Sequence, residues 1–86
     1  MSTYRMVIEE GLRRVLDYAR AHAPDDTRLE WRPMDVSGSY PLKATRARKS
    51  QVLVRLSKND LARCAQAEDA WQDIRSVVEQ QVRYLA

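Results

Sequence analysis

The sequence is poor in the residues that build metal centres, disulfides and phosphate-binding loops. Its 86 residues include one cysteine, Cys64, one histidine, His22, and two glycines. A single cysteine excludes an intramolecular disulfide, and no spacing of carboxylates completes a zinc site around one cysteine and one histidine. Two glycines are too few for a glycine-rich phosphate loop. We therefore expect no catalytic residues, no metal and no cofactor.

Long apolar runs are also absent. No stretch approaches the roughly 20 residues that a membrane-spanning helix needs. The first ten residues hold only a short apolar piece that is followed by two acids, whereas a secretory signal needs a longer apolar region and a cleavage site of small residues. Secreted domains of this size often depend on disulfides. We therefore expect one cytoplasmic domain over residues 1–86, with no membrane association.

Residues 4–22 have the spacing of an amphipathic helix, because apolar residues recur every three or four positions. Gly11 interrupts this helix at a cost of about 1 kcal/mol relative to alanine, either because another element approaches closely or for no structural reason. Pro24 disfavours a helical Ala23, so the helix should end near that point. The apolar stripe consists of Tyr4, Val7, Ile8, Leu12, Val15, Leu16 and Ala19.

Two short strand patterns follow. Residues 28–33 alternate between apolar and charged side chains, which is typical of a half-buried strand. Residues 40–44 give a second, weaker pattern. Proline cannot donate to a sheet ladder, so the first strand should end at Pro33 or lie at an edge, and Pro41 indicates an edge position for the second. The side chains expected on the core side are Leu29, Trp31, Tyr40, Leu42 and Ala44.

Residues 50–56 give the clearest strand pattern and are rich in β-branched side chains. Residues 57–60 then resemble a helix capping box, and helical spacing continues to Leu85. This last segment is either one helix or two helices with a break near residues 66–68. The side chains of the third strand that we expect to face the core are Val52, Val54 and Leu56.

The order of elements is α-β-β-β-α, with the last helix whole or broken. Half-apolar helices and an antiparallel sheet with one apolar face can cover each other. We therefore expect an α+β fold in which the N- and C-terminal helices pack on one face of a sheet of two or three strands. In element order the chain resembles the double-stranded-RNA-binding fold. That family has a basic cluster at the start of its last helix. The last helix of this chain opens Asn59-Asp60-Leu61-Ala62-Arg63 and lacks that cluster.

Residues 36–59 contain six cations and no acid, and four of the cations lie within residues 43–49. Such a segment can bind phosphates, or its charge can simply keep an exposed strand edge from aggregating. The second interpretation is favoured because the net charge of the chain is only +3. The candidate contacts to nucleic acid or to an acidic partner are Lys43, Arg46, Arg48, Lys49 and Arg55.

Aromatic and thiol side chains allow two interpretations each. Trp31 and Tyr40 can stack on bases if they point outward, but side chains at such spacing usually belong to a core, and Trp71 is expected to be buried. Cys64 lies on an apolar stripe, where a thiol is typically buried and inert.

The C-terminal segment has the opposite charge. Residues 60–86 hold five acids and three arginines, a net charge of −2. Val77 and Tyr84 lie off its main apolar stripe and are the candidate protein contacts. We expect a small non-enzymatic interaction or accessory protein, acting through these residues or an exposed sheet edge, as a homodimer or with an acidic protein partner. Weak, sequence-independent nucleic-acid binding through residues 43–55 is the alternative.

Two passages carry a resemblance that spans the chain. One is Glu-Glu-Gly-Leu-Arg-Arg-Val-Leu-Asp-Tyr-Ala-Arg (9–20), and the other is Val-Leu-Val-Arg-Leu-Ser-Lys-Asn-Asp-Leu (52–61). With them the chain resembles small uncharacterised proteobacterial proteins, some of which attract interest as immunoreactive antigens. The resemblance implies a bacterial source and assigns no functional residue.

Overall fold

The structure is a computed structural model that describes residues 3–85. Three strands form one antiparallel sheet, in which they are arranged in their order along the chain. The predicted α+β fold is confirmed, with three strands and with the last helical segment divided into two helices. The elements are α1 (Thr3–His22), β1 (Arg28–Trp31), β2 (Ser39–Arg46), β3 (Lys49–Ser57), α2 (Lys58–Gln66) and α3 (Glu68–Arg83).

One apolar core joins the helices to a single face of the sheet. Leu42 and Ala44 of β2 are fully buried, whereas Lys43 and Thr45 are partly exposed. Since successive strand residues point to opposite faces, the helices cover the face of Leu42, and the other face is open among residues 3–85. The same core contains Ile8, Val15, Leu61, Trp71 and Val78, with Leu12 and Val54 packed against it.

Gly11 marks a close approach between α1 and α2. A Cβ atom at this position would lie 2.2 Å from the carbonyl oxygen of Leu61, far inside van der Waals contact. The missing side chain therefore lets the two helix backbones touch. Of the two interpretations of this glycine, the structure supports the close approach of another element.

β3 contains a β-bulge that the sequence pattern did not reveal. The register shifts between Leu42 and Lys43, which leaves Leu53 without a partner on β2. Leu53 is buried together with Leu56, three residues later, whereas Val52 is only half-buried. The prediction that Val52 faces the core is therefore wrong, because the extra residue of the bulge reverses the alternation.

Pro41 lies in the central strand, so its predicted edge position is wrong. Its carbonyl accepts a hydrogen bond from the Arg32 N–H at 2.8 Å, just beyond the end of β1 at Trp31. In an antiparallel strand the N–H and the C=O of one residue face the same neighbour. The missing N–H of Pro41 thus falls where β1 has ended. Pro33 follows an edge strand, as predicted.

The last helical segment begins at a capping box and breaks once. The Ser57 hydroxyl accepts the Asp60 N–H at 3.1 Å, and the Asp60 carboxylate accepts the Ser57 N–H at 3.1 Å. Ala67, with φ −121° and ψ 122°, ends α2 and precedes α3. Glu68 and Asp69 occupy the first turn of α3, where acids interact favourably with the helix dipole.

Arg14 fastens this junction to α1. Its guanidinium donates to the Cys64 carbonyl at 2.9 Å and lies over the Trp71 ring, 4.3 Å from the ring centroid. It also forms an ion pair with Glu68 at 3.4 Å. One side chain thereby connects the end of α2, the start of α3 and the middle of α1.

Candidate interaction surface at one end of the molecule

The five cations proposed as one contact surface are divided between two faces of the sheet. Lys43 lies on the open face, because its neighbours along β2 point into the core. Arg55 is on the same face and pairs with Asp35 of the β1–β2 loop at 3.7 Å. Arg46 and Lys49 point toward the helix side, beside the end of α3. Residues 43–55 therefore do not form a single basic surface.

The cations on the helix side border a concave surface that encloses a volume of about 550 Å³. It lies where the β2–β3 turn, the loop after α1 and the end of α3 meet. Arg46, Arg48, Lys49 and Tyr84 provide its cationic and aromatic side chains, and we call these four residues the basic end. The surface brings together cations and an aromatic residue that are more than thirty positions apart in the sequence.

Arg46 connects two of the segments that border this surface. Its Nε donates to the Asp26 carboxylate at 2.8 Å, and a terminal nitrogen donates to the Leu85 carbonyl. The hydrogen bond from Arg46 is the main reason that the pKa of Asp26 lies below its usual value of 3.8. Arg46 therefore ties the loop after α1 to the end of α3, and its charge is largely engaged within the fold.

Arg48 and Lys49 are exposed, and neither forms an ion pair within residues 3–85. They follow Ala47, whose φ of 56° lies in the left-handed region that glycine normally fills. Positive φ at the first position is typical of two-residue hairpin turns. For an alanine this conformation costs about 1–2 kcal/mol, and it sets both cations at the end of the sheet.

A stripe of exposed side chains runs along α3 toward the basic end. Val77 of α3 is 45% exposed, and Tyr84, which directly follows α3 with helical backbone angles, is 74% exposed seven residues later on the same side. Asp69 and Asp73 extend this side toward the start of α3, and neither acid forms an ion pair in the described part of the chain. We call Asp69, Asp73, Val77, Gln80 and Tyr84 the α3 stripe.

The free edge of β3 is a poorer candidate for pairing with another chain. β3 is nine residues long, but the bulge at Leu53 interrupts it. Lys49 and Arg55 add charge to the strand, and bulges and charges both discourage edge-to-edge pairing. These features make the edge of β3 a weaker candidate contact surface than the α3 stripe.

The remaining aromatic and thiol candidates pack in or against the core. Trp31 donates its indole N–H to the Leu12 carbonyl at 2.9 Å and packs against the core. Tyr40 is also partly buried against the core, and it lines a second concave surface beside Tyr4 and Lys58. Trp71 is buried, as predicted. Cys64 is fully buried as well, and this burial raises the pKa of its thiol to about 11.

Among residues 3–85 no group of three or more His, Cys, Asp or Glu side chains is placed to hold a metal ion. The second concave surface, of about 440 Å³, lies at the opposite end and includes Tyr4, Ile8 and Lys58. Nothing among the described residues shows what would cover it.

The chain matches no model of a known protein family, no curated protein and no solved structure. None of the helices in the described range is long and apolar enough to cross a membrane. Function is therefore inferred from the chemistry of the basic end and the α3 stripe.

Proposed function

We propose that this chain is a small non-enzymatic interaction protein that binds an acidic protein surface through the basic end. One observation carries this proposal. Arg48 and Lys49, which form no ion pair within residues 3–85, border the same concave surface of about 550 Å³ as the exposed Tyr84. Tyrosine and arginine are among the residue types enriched in protein interfaces, and exposed cations favour a partner of complementary charge.

The division of the cations favours a protein partner over nucleic acid. Lys43 and Arg55 lie on the other face of the sheet, and Arg46 is engaged with Asp26. Of the five cations, only Arg48 and Lys49 then remain at the basic end without an ion pair among residues 3–85. Neutralising two phosphates corresponds to a log–log salt slope of only about −2 on duplex DNA. Such binding is weak, so nucleic acid is the alternative outcome of the test below.

The side chains around the concave surface also support a role without catalysis. The one carboxylate there, Asp26, has a lowered pKa, whereas a general acid needs a raised one. Cys64 is buried in the core with its thiol protonated at neutral pH, so it is a poor nucleophile. Binding therefore fits this surface better than acid–base or nucleophilic chemistry.

The test is a titration of the ¹⁵N-labelled chain with two probes, a polyglutamate peptide and an oligothymidylate, each about ten units long. We expect the peptide to shift the amide signals of Arg48, Lys49 and Tyr84, with weaker binding at about 200 mM salt than at about 50 mM. The Arg48→Ala/Lys49→Ala variant should lose these shifts. The matched variant Lys43→Ala/Arg55→Ala, on the open face, should keep them.

Three results would contradict the proposal. One is an absence of shifts at the basic end with the peptide. The second is equal loss of peptide binding in both double variants. The third is tighter binding of oligothymidylate than of the peptide, with loss of that binding in the Lys43→Ala/Arg55→Ala variant, which would assign nucleic acid as the partner.

A further inference from the structure

The α3 stripe has the spacing of a helix–helix seam. Asp73, Val77, Gln80 and Tyr84 follow one another at intervals of four, three and four residues, the repeat that keeps one side of a helix against another helix. All four are exposed. Since eleven positions separate Asp73 from Tyr84, the seam offers a contact about 17 Å long.

Opposite charges lie at the two ends of this seam. Asp69 and Asp73 are at its start, and Arg48 and Lys49 lie beside Tyr84 at its end. None of the four forms an ion pair within residues 3–85. A parallel pair of such helices would bring like charges together. An antiparallel pair places the acids of each helix near the cations of the other, and a two-fold axis makes this contact twice.

The spacing fixes a register. With the two-fold axis midway between Val77 and Gln80, Val77 of one copy faces Gln80 of the other, and Asp73 faces Tyr84. Asp69 then lies about 6 Å beyond Tyr84 of the other copy. That is the region in which Arg48 and Lys49 border the concave surface.

We infer that the acidic partner is a second copy of this chain, bound by antiparallel packing of the two α3 stripes. This inference rests on the proposed function, whose partner it names. It explains together the exposure of Val77 and Tyr84 and the presence, on α3 and in the β2–β3 turn, of opposite charges that form no ion pair in the described part of the chain.

The dimer is weak and sensitive to salt. Its apolar contacts are limited to Val77 and Tyr84, and a single helix pair is small beside the roughly 1,600 Å² of a standard stable interface. Charge pairs at the rim of an interface are screened by salt. We expect dissociation constants in the micromolar range or weaker at about 50 mM salt, rising at least tenfold at about 500 mM.

The test uses charge reversal and sedimentation equilibrium. Asp69→Lys/Asp73→Lys and Arg48→Glu/Lys49→Glu should each weaken self-association at least tenfold, because each makes both charge contacts of the dimer repulsive. An equal mixture of the two variants should associate again. In the mixed dimer one contact joins the original acids of one copy to the original cations of the other. The second contact joins the introduced lysines to the introduced glutamates. Recovery on mixing also shows that both variants are folded.

Matched controls carry the same charge changes at exposed positions of α1. Glu10→Lys/Asp17→Lys and Arg13→Glu/Arg20→Glu change exposed side chains and should leave association unchanged. A mixture of Asp69→Lys/Asp73→Lys with Arg13→Glu/Arg20→Glu should not reach the association of the complementary mixture, which controls for general attraction between oppositely charged chains.

The results separate this inference from the proposed function. A wild-type chain that stays monomeric at millimolar concentration and about 50 mM salt would overturn the dimer, as would variants that still dimerise or a complementary mixture that does not. If polyglutamate still binds the basic end in that case, the proposed function stands with a different acidic partner. If polyglutamate also does not bind the basic end, both the dimer and the proposed function are contradicted.

Discussion

The contact between α1 and α2 can be tested by adding one Cβ atom at position 11. Replacing Gly11 with alanine would place a Cβ atom 2.2 Å from the Leu61 carbonyl oxygen, whereas real Cβ atoms essentially never come within 3.0 Å of another atom. The obstacle is backbone, so it cannot rotate away as the end of a side chain can. The two helices must therefore separate by at least the difference, about 0.8 Å.

The energetic effect has two opposing parts. Alanine stabilises a helix by about 1 kcal/mol relative to glycine. A gap of nearly 1 Å removes between a quarter and a half of the dispersion energy across the affected contacts, and overpacking typically costs about 1–3 kcal/mol. Because Val15 and Leu61 are fully buried, the upper figure applies. The net loss is then about 2 kcal/mol, from a total stability of roughly 4–13 kcal/mol for a chain of this size.

Urea denaturation followed by circular dichroism measures this loss. With a slope of about 1 kcal/mol per molar urea for a small protein, the midpoint of Gly11→Ala should fall by about 2 M. The matched control compares Arg13→Ala with Arg13→Gly at an exposed position of the same helix. There alanine should be the more stable by about 1 kcal/mol. A Gly11→Ala variant that gains the same 1 kcal/mol would show that the helix backbones do not touch.

Three further predictions concern single residues. Ala47→Gly should raise the free energy of unfolding by up to about 1 kcal/mol in urea melts, because glycine adopts the positive φ without steric cost, and a loss of stability would contradict the turn conformation. Arg14→Met should lower that free energy by about 1–3 kcal/mol, because the Cys64 carbonyl loses a charged donor, whereas Arg20→Met, at an exposed site, should change it little. Burial raises the pKa of the Cys64 thiol from 9.0 to about 11. As the pH rises, the thiol therefore loses its proton in the unfolded chain before it does so in the folded chain. Stability from the protonated thiol is therefore complete below pH 9 and lost between pH 9 and about 11, and Cys64→Ala should remove this part of the alkaline decline in urea midpoint.

Much of the fold was predictable because its signals are local. The apolar spacing of α1 and the Ser57–Asp60 capping box mark helices through contacts within a few residues. The alternative of two helices near residues 66–68 is confirmed by the extended backbone of Ala67. The predictions that failed depend on pairing between strands: the edge assignment of Pro41 and the inward orientation of Val52.

The bulge shows why pairing was harder to predict. Val52, Leu53 and Val54 are all apolar, so the sequence holds no alternation that distinguishes the inward side chains. Only the register against β2 reveals that Leu53 is the extra residue. The same bulge lets Leu53 and Leu56 both reach the core while Arg55 stays on the open face.

The sequence points to the residues of the candidate surface separately and does not show that they lie together. The cations near residue 48 and the exposed Tyr84 were singled out separately, one set for nucleic acid or an acidic partner and the other for protein contact. Their proximity follows from tertiary packing, in which Arg46 reaches the Leu85 carbonyl. No local sequence signal reports such a contact. The resemblance to small proteobacterial proteins stays a prediction, since no comparison bears on it.

An isotope-filtered NOE experiment tests the central claim most directly. An equal mixture of ¹³C,¹⁵N-labelled and unlabelled chain is measured at low salt and millimolar concentration, and only contacts between copies are recorded. We predict contacts from the Val77 methyl groups to the Gln80 side chain of the other copy, and from the Tyr84 ring to Asp73 of the other copy. Contacts that arise instead from the β3 edge or from the surface around Tyr4, or no contacts between copies at all, would contradict it.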